Sequence, residues 1–97
     1  MNISFQQLII FRDLNETRSV TQTAERLHLT QPAVSIQLKN FQKQFDRPLY
    51  ETIGKKIYIT EFGKDVMAKT HVLLKEAEEI ERLGKSKSNL WQSTQAI

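Results

Sequence analysis

Thr30-Gln31-Pro32-Ala33-Val34-Ser35-Ile36 is the stretch whose side chains are best suited to chemistry, and that chemistry is recognition rather than bond-making. A glutamine amide carries an acceptor and a donor side by side, the pair that adenine presents in a major groove. Ser35 can hydrogen-bond a base edge, and Pro32, Ala33 or Ile36 can touch a thymine methyl group. Thr21, Gln22 and Lys39 bear groups that hold phosphate oxygens. Catalytic machinery is thin by comparison. The chain has no cysteine, and its two histidines, His28 and His71, lie far apart in sequence. No glycine-rich phosphate loop is present, so no catalytic residue, metal or cofactor is expected.

Recognition of this kind needs Gln31 and Ser35 near the tip of a helix. Thr30 is a good N-cap, and Pro32 falls in the first turn, where a missing N–H costs nothing. Ala33, Val34, Leu38, Phe41 and Phe45 continue at helical spacing, which predicts a helix over residues 31–45. Val34 and Leu38 set its inner face, so Thr30, Gln31, Pro32, Ala33, Ser35, Ile36 and Lys39 point away from the core. A shorter helix precedes it over 20–27, opened by Ser19 and carrying Val20, Ala24 and Leu27 on one face. Ala24 is small enough for two helices to cross there, with Leu27, Leu29, Val34 and Leu38 filling the angle. The turn between them needs positive φ, and His28 is the candidate, because histidine is enriched in that region. The free N–H groups opening both helices suit phosphates. Ahead of this pair, Ser4-Phe5-Gln6-Gln7 fits a capping box. Phe5, Leu8, Ile9, Phe11 and Leu14 then mark a helix over 4–16.

Beyond Asp46-Arg47-Pro48 the period changes. Ile57 and Ile59 alternate with Lys56 and Tyr58, and Gly54 beside Lys55 and Lys56 makes a turn tip, so residues 49–59 are expected to form a β-hairpin. Its lysines would meet a nucleic-acid backbone or minor groove beside the recognition helix. Thr60 caps a final long helix expected over 60–84. Val66, Thr70, Leu73, Ala77 and Ile80 form a heptad-like seam along it, suited to a homodimer interface or to packing against the first helix. Gly84 is the expected stop, and 85–97 a linker or tail.

Charge agrees with a polyanionic partner for the first part of the chain. Residues 1–59 hold eight Lys/Arg against five Asp/Glu, residues 60–97 hold six of each, and the whole carries +3. With no cysteine, no signal pattern and no apolar run longer than Leu8-Ile9-Ile10-Phe11, a soluble cytoplasmic protein without membrane contact is expected.

The stretch from Phe5 to about Gly84 closely resembles the N-terminal DNA-binding domain of LysR-type transcriptional regulators. The resemblance rests on Phe5-x-x-Leu8-x-x-Phe11, on Ser19-Val20-Thr21 and on Ala24-Glu25-Arg26-Leu27-His28-Leu29-Thr30-Gln31-Pro32-Ala33-Val34-Ser35. Pro48-Leu49-Tyr50-Glu51 and Ile59-Thr60-Glu61-Phe62-Gly63 extend it. It implies a mainly α fold, a winged helix-turn-helix of three helices and a two-stranded wing over 1–59, followed by a linker helix that pairs with a partner's. It further implies sequence-specific binding of double-stranded DNA at a palindromic operator by a bacterial activator or repressor. Gln31, Pro32, Ala33 and Ser35 match the family's base readers, and Thr30 its phosphate contact. Lys55 matches a basic wing position. Ile36 and Thr52 stand where many members carry arginine, which favours a methyl contact over a guanine contact and a gentler salt dependence. A small-molecule inducer belongs to a C-terminal domain that these 97 residues do not contain, so a fragment of a longer regulator is the expectation.

A different class stays open on the residues alone, a helical protein-interaction or dimerisation module without specific DNA binding. Such a module wants exposed apolar anchors on the 30–39 face. That face offers Gln31, Ser35, Gln37 and Lys39 with only Ile36 as an exposed apolar candidate, which favours nucleic acid.

Overall fold

Ser4 opens the first helix as the capping box requires. In the computed structural model, which describes residues 2–86, Ser4 Oγ accepts the Gln7 N–H at 3.1 Å and Gln7 Oε1 accepts the Ser4 N–H at 3.0 Å. Helix α1 (Phe5–Thr17) ends at Arg18, a left-handed residue with φ 56° whose N–H closes on the Leu14 carbonyl. Ser19 caps α2 (Val20–Arg26) through the Gln22 N–H. His28 has the expected positive φ, 57°, and that conformation brings the Leu29 N–H onto the Ala24 carbonyl at 2.8 Å. Thr30 then caps α3 (Gln31–Gln42), with Pro32 in the first turn.

Helix α3 stops three residues short of the expected Phe45. Gln44 and Phe45 donate to carbonyls only three residues back, a tightened turn. The cause is the side chain of Gln42. It donates to the Arg47 carbonyl at 2.7 Å and accepts the Leu49 N–H at 2.8 Å, so it staples the returning chain across the helix end. Phe45 is apolar for a different reason than helix periodicity: its ring stands edge-on to Phe41 and Phe62, with centroids 5.2 and 5.7 Å away.

Strands β1 (Tyr50–Ile53) and β2 (Lys56–Ile59) form the antiparallel hairpin, with Tyr50 opposite Ile59 and Ile53 opposite Lys56. Gly54, φ 64°, turns the chain together with Lys55. Thr60 anchors the start of α4 (Glu61–Ser86): its Oγ1 accepts the Gly63 N–H and donates to the Pro48 carbonyl at 2.7 Å. Gly84 does not stop α4. It stays helical among Glu81, Arg82, Leu83 and Lys85, all good helix formers. The rest of the expected tail, 87–97, lies outside the described residues.

Helix α1 divides the core in two. One cluster joins Leu8 and Phe11 to Phe41, Leu49, Met67 and Leu74, while the other joins Ile10 and Leu14 to Ala24, Val34, Leu38 and Ile57. The first tethers α4, and the second seats α2, α3 and the hairpin. Phe5, the first of the apolar residues that mark α1, is 55% exposed. The expected seam on α4 is also divided. Thr70 is only 2% exposed, its hydroxyl donating to the Val66 carbonyl, and Val66 packs on the first cluster. These two residues face α1 with Met67 and Leu74, so their surface is spent within the chain.

Candidate nucleic-acid interface

The second cluster explains which side of α3 is left for a partner. Val34 and Leu38 are buried, which turns Thr30, Gln31, Pro32, Ile36 and Lys39 out to solvent, with Ala33 and Ser35 half-buried between them. Ile36 is 56% exposed, the one large apolar side chain laid open on this face of α3. Gln31 does not stand alone. Its Nε2 donates to Thr21 Oγ1 at 2.6 Å, which joins the tip of α3 to the first turn of α2. Further along, Gln7 Nε2 donates to Gln37 Oε1 at 3.3 Å and ties α3 to α1.

The hairpin reaches the same surface from the α2 side. Lys55, Lys56 and Thr52 are exposed. Lys55 and Lys56 share a concavity of about 360 Å³ with Arg18, Ser19, Gln22 and Tyr58. Thr21 and Gln22 are consecutive on the first turn of α2. That turn carries both the residue that meets Gln31 and the residue that shares the concavity with the two wing lysines, so the α3 tip and the wing make a strip by way of α2. Lys39 lies two turns along α3 from Gln31, roughly 12 Å away by helical rise, and Thr52 sits on β1, so neither joins that strip directly.

Arg18 is the member that sequence reasoning missed. Its guanidinium carbon lies 5.9 Å from the centroid of the Tyr58 ring, and its carbonyl accepts the Ile57 N–H at 3.1 Å. The wing is thus hung on the α1–α2 turn. A cation just before the cap Ser19 was the only signal in the chain. Ile53, 60% exposed beside the turn tip, was likewise unremarked.

Behind the strip, Arg26 Nη2 meets Asp13 Oδ1 at 3.0 Å, while Asp13 Oδ2 is buried without a partner among the described residues. The pair locks α2 to α1. Burial raises the Tyr50 hydroxyl above its ordinary 10.0, on the inner side of the hairpin. Among the described residues no group of three or more His, Cys, Asp or Glu is placed to hold a metal, and no helix is long and apolar enough to cross a membrane. On α4, Leu73 and Ile80 are exposed and Ala77 is partly covered. Ala77 and Ile80 line a groove of about 450 Å³ whose other wall is Phe5, Ile9 and Arg12.

Comparison with known proteins gives this surface a context. A family model described as "Bacterial regulatory helix-turn-helix protein, lysR family" matches residues 5–64. The chain is 36% identical over 83 residues to the RuBisCO operon transcriptional regulator of Allochromatium vinosum, covering 82% of this chain and 28% of that protein. It is 47% identical over 66 residues to the HTH-type transcriptional activator CmpR of Synechocystis sp. (strain ATCC 27184 / PCC 6803 / Kazusa), covering 68% of this chain and 22% of that one. It therefore spans between a fifth and a third of the length of these curated relatives. Among solved structures, the BenM_DBD/benA site 1 DNA complex superposes with a TM-score of 0.78 at 23% identity, covering 87% of this chain and 98% of that one. A CbnR_DBD–DNA complex superposes at 0.79 and 22%, covering 89% and 99%. These likenesses show the winged-helix fold. Since the matched residues span α1, the helix-turn-helix, the wing and the start of α4, the chain belongs to the LysR family of bacterial regulatory helix-turn-helix proteins.

Proposed function

We propose that the chain binds double-stranded DNA sequence-specifically in the bacterial cytoplasm, as a regulator of transcription. Helix α3 enters the major groove tip first, with Gln31, Pro32, Ala33, Ser35 and Ile36 toward base edges. Thr21, Gln22, Thr30 and Lys39 hold phosphates, and Thr52, Lys55 and Lys56 bring the wing onto the backbone or minor groove. One observation carries this reading. The first turn of α2 joins the candidate base reader to the wing, since Thr21 accepts the hydrogen bond from Gln31 and Gln22 shares a concavity with Lys55 and Lys56.

The protein acts as a homodimer through α4, with Leu73, Ala77 and Ile80 as the contacting stripe. Val66 and Thr70 support that stripe from within the chain. The groove between α1 and α4 continues the apolar surface and gives a partner helix room to seat. Two α3 helices set one turn of DNA apart would then face an interrupted palindrome.

The test is selection of bound duplexes from a random pool. An enriched interrupted palindrome is the expected result. On that duplex, Gln31→Ala should cost about 1–3 kcal/mol while scarcely changing binding to random DNA, and Lys55→Ala should weaken both alike. A pool that yields no enriched sequence would leave the chain an interaction module without specific DNA binding.

A further inference from the structure

We propose that Thr21 is a specificity-determining residue, whose hydroxyl fixes the Gln31 amide in the orientation that reads a base. Helices α2 and α3 then recognise DNA as one unit. The proposal rests on the DNA-binding reading above and adds to it, since that reading gives Thr21 a phosphate contact alone.

Gln31 Nε2 donates to Thr21 Oγ1 at 2.6 Å, between side chains 10 residues apart on different helices. Both residues are exposed, where a glutamine ordinarily samples many rotamers and lets its amide swing. The bond takes one amide hydrogen. The second hydrogen and the whole of Oε1 remain, and those are the donor and acceptor that adenine N7 and N6 require. With its amide reversed, the same glutamine would set its –NH₂ against the adenine amino group. A free Thr21 hydroxyl can hold the amide either way round, but once its hydrogen goes to a phosphate oxygen it can only accept, and only the orientation with Nε2 toward Thr21 keeps the bond.

The residue that does the selecting is itself held. Thr17 Oγ1 accepts the Ser19 N–H and donates to the Ser19 carbonyl, both at 3.1 Å, and lies 2.8 Å from the hydroxyl of Thr23, which is fully buried. Ser19 Oγ caps the Gln22 N–H. The first turn of α2 is thus pinned to the end of α1, and Thr21 rides on that turn. Its own hydroxyl hydrogen is not used in the bond from Gln31 and can go to a phosphate oxygen. Donation to a phosphate makes the hydroxyl oxygen a better acceptor, because hydrogen bonds in a chain polarise one another. Contact with the backbone then tightens the hold on the base reader.

The experiment uses the full 97-residue chain and duplexes that the parent enriches from a random pool. Thr21→Val keeps the shape of the side chain and removes the hydroxyl, and Thr21→Ser restores it. The valine variant should lower the affinity ratio of selected over random duplex by about 3- to 10-fold, the value of one pre-ordered side chain. The serine variant should keep the parent ratio. In a Gln31→Ala background Thr21→Val should leave the ratio where it was. A loss equal on both duplexes overturns the proposal and leaves Thr21 a phosphate contact, and so does a loss of the ratio that adds to that of Gln31→Ala. Thr21→Ala gives the same comparison should valine upset folding, which circular dichroism reports. If the parent enriches no sequence, the DNA reading fails and this proposal with it. If the parent enriches a palindrome and Thr21→Val keeps the ratio, this proposal alone fails.

Discussion

Two residues flank α2 in the same left-handed conformation, Arg18 at φ 56° and His28 at φ 57°, yet glycine should stabilise the chain at only one of them. A non-glycine residue in this region carries roughly 1–2 kcal/mol of strain between Cβ and the following carbonyl. Glycine removes that strain but gains about 0.4–1 kcal/mol of freedom in the unfolded chain. At His28 nothing else changes, since the side chain is exposed and the turn is held by backbone bonds. His28→Gly should therefore stabilise by about 0.5–1 kcal/mol, a rise in melting temperature of roughly 2–6 °C for a domain of this size. Arg18 differs because its guanidinium lies over Tyr58. Losing that contact costs about 0.5–1 kcal/mol at an exposed site, so Arg18→Gly should be neutral or slightly destabilising. Urea unfolding of both variants and the parent at one protein concentration decides it, with unchanged slopes licensing the comparison of midpoints. Equal shifts in the two midpoints would refute the claim that Arg18 holds the wing through its side chain.

The close approach of α4 to the hairpin predicts that Gly63→Ala destabilises by about 1–3 kcal/mol, read by the same unfolding assay, since a Cβ there runs into the Leu49 carbonyl and within 2.7 Å of Ile59 Cγ2. Ile80, 69% exposed on the proposed dimer stripe, should tolerate glutamate in the monomer but not across an interface. Sedimentation should then find Ile80→Glu monomeric at concentrations where the parent is a dimer. Lys55→Ala and Lys56→Ala should each flatten the slope of log affinity against log salt by about one, measured by titration at several salt concentrations. The raised hydroxyl of Tyr50 favours the folded state while neutral, so its contribution is complete below pH 10.0 and is lost as pH climbs through the higher folded value. Alkaline unfolding compared between the parent and Tyr50→Phe checks that sign.

What could be read from the chain was what neighbours in sequence decide. Ser4, Ser19, Thr30 and Thr60 announce four helix starts because a cap needs only a partner two or three residues on, and all four bonds form. The positive φ of His28 and the turn at Gly54 are local in the same sense. The misplaced boundaries share another origin. Apolar spacing reports that a side chain is covered without saying by what. Phe45 is covered by Phe41 and Phe62 rather than by continuing a helix, and Thr70 by its own core rather than by a partner. Arg18, and the bond between Thr21 and Gln31, lay beyond sequence reasoning for a third reason. Tyr58 is brought to Arg18, and Gln31 to Thr21, only after the hairpin has hung on the α1–α2 turn and α3 has crossed α2 at Ala24. Candidate base readers can thus be proposed from type and spacing, but which edge of Gln31 faces outward depends on the crossing of α2 and α3. A substitution that widens the crossing, such as Ala24→Val, should disturb recognition without touching any residue that meets DNA.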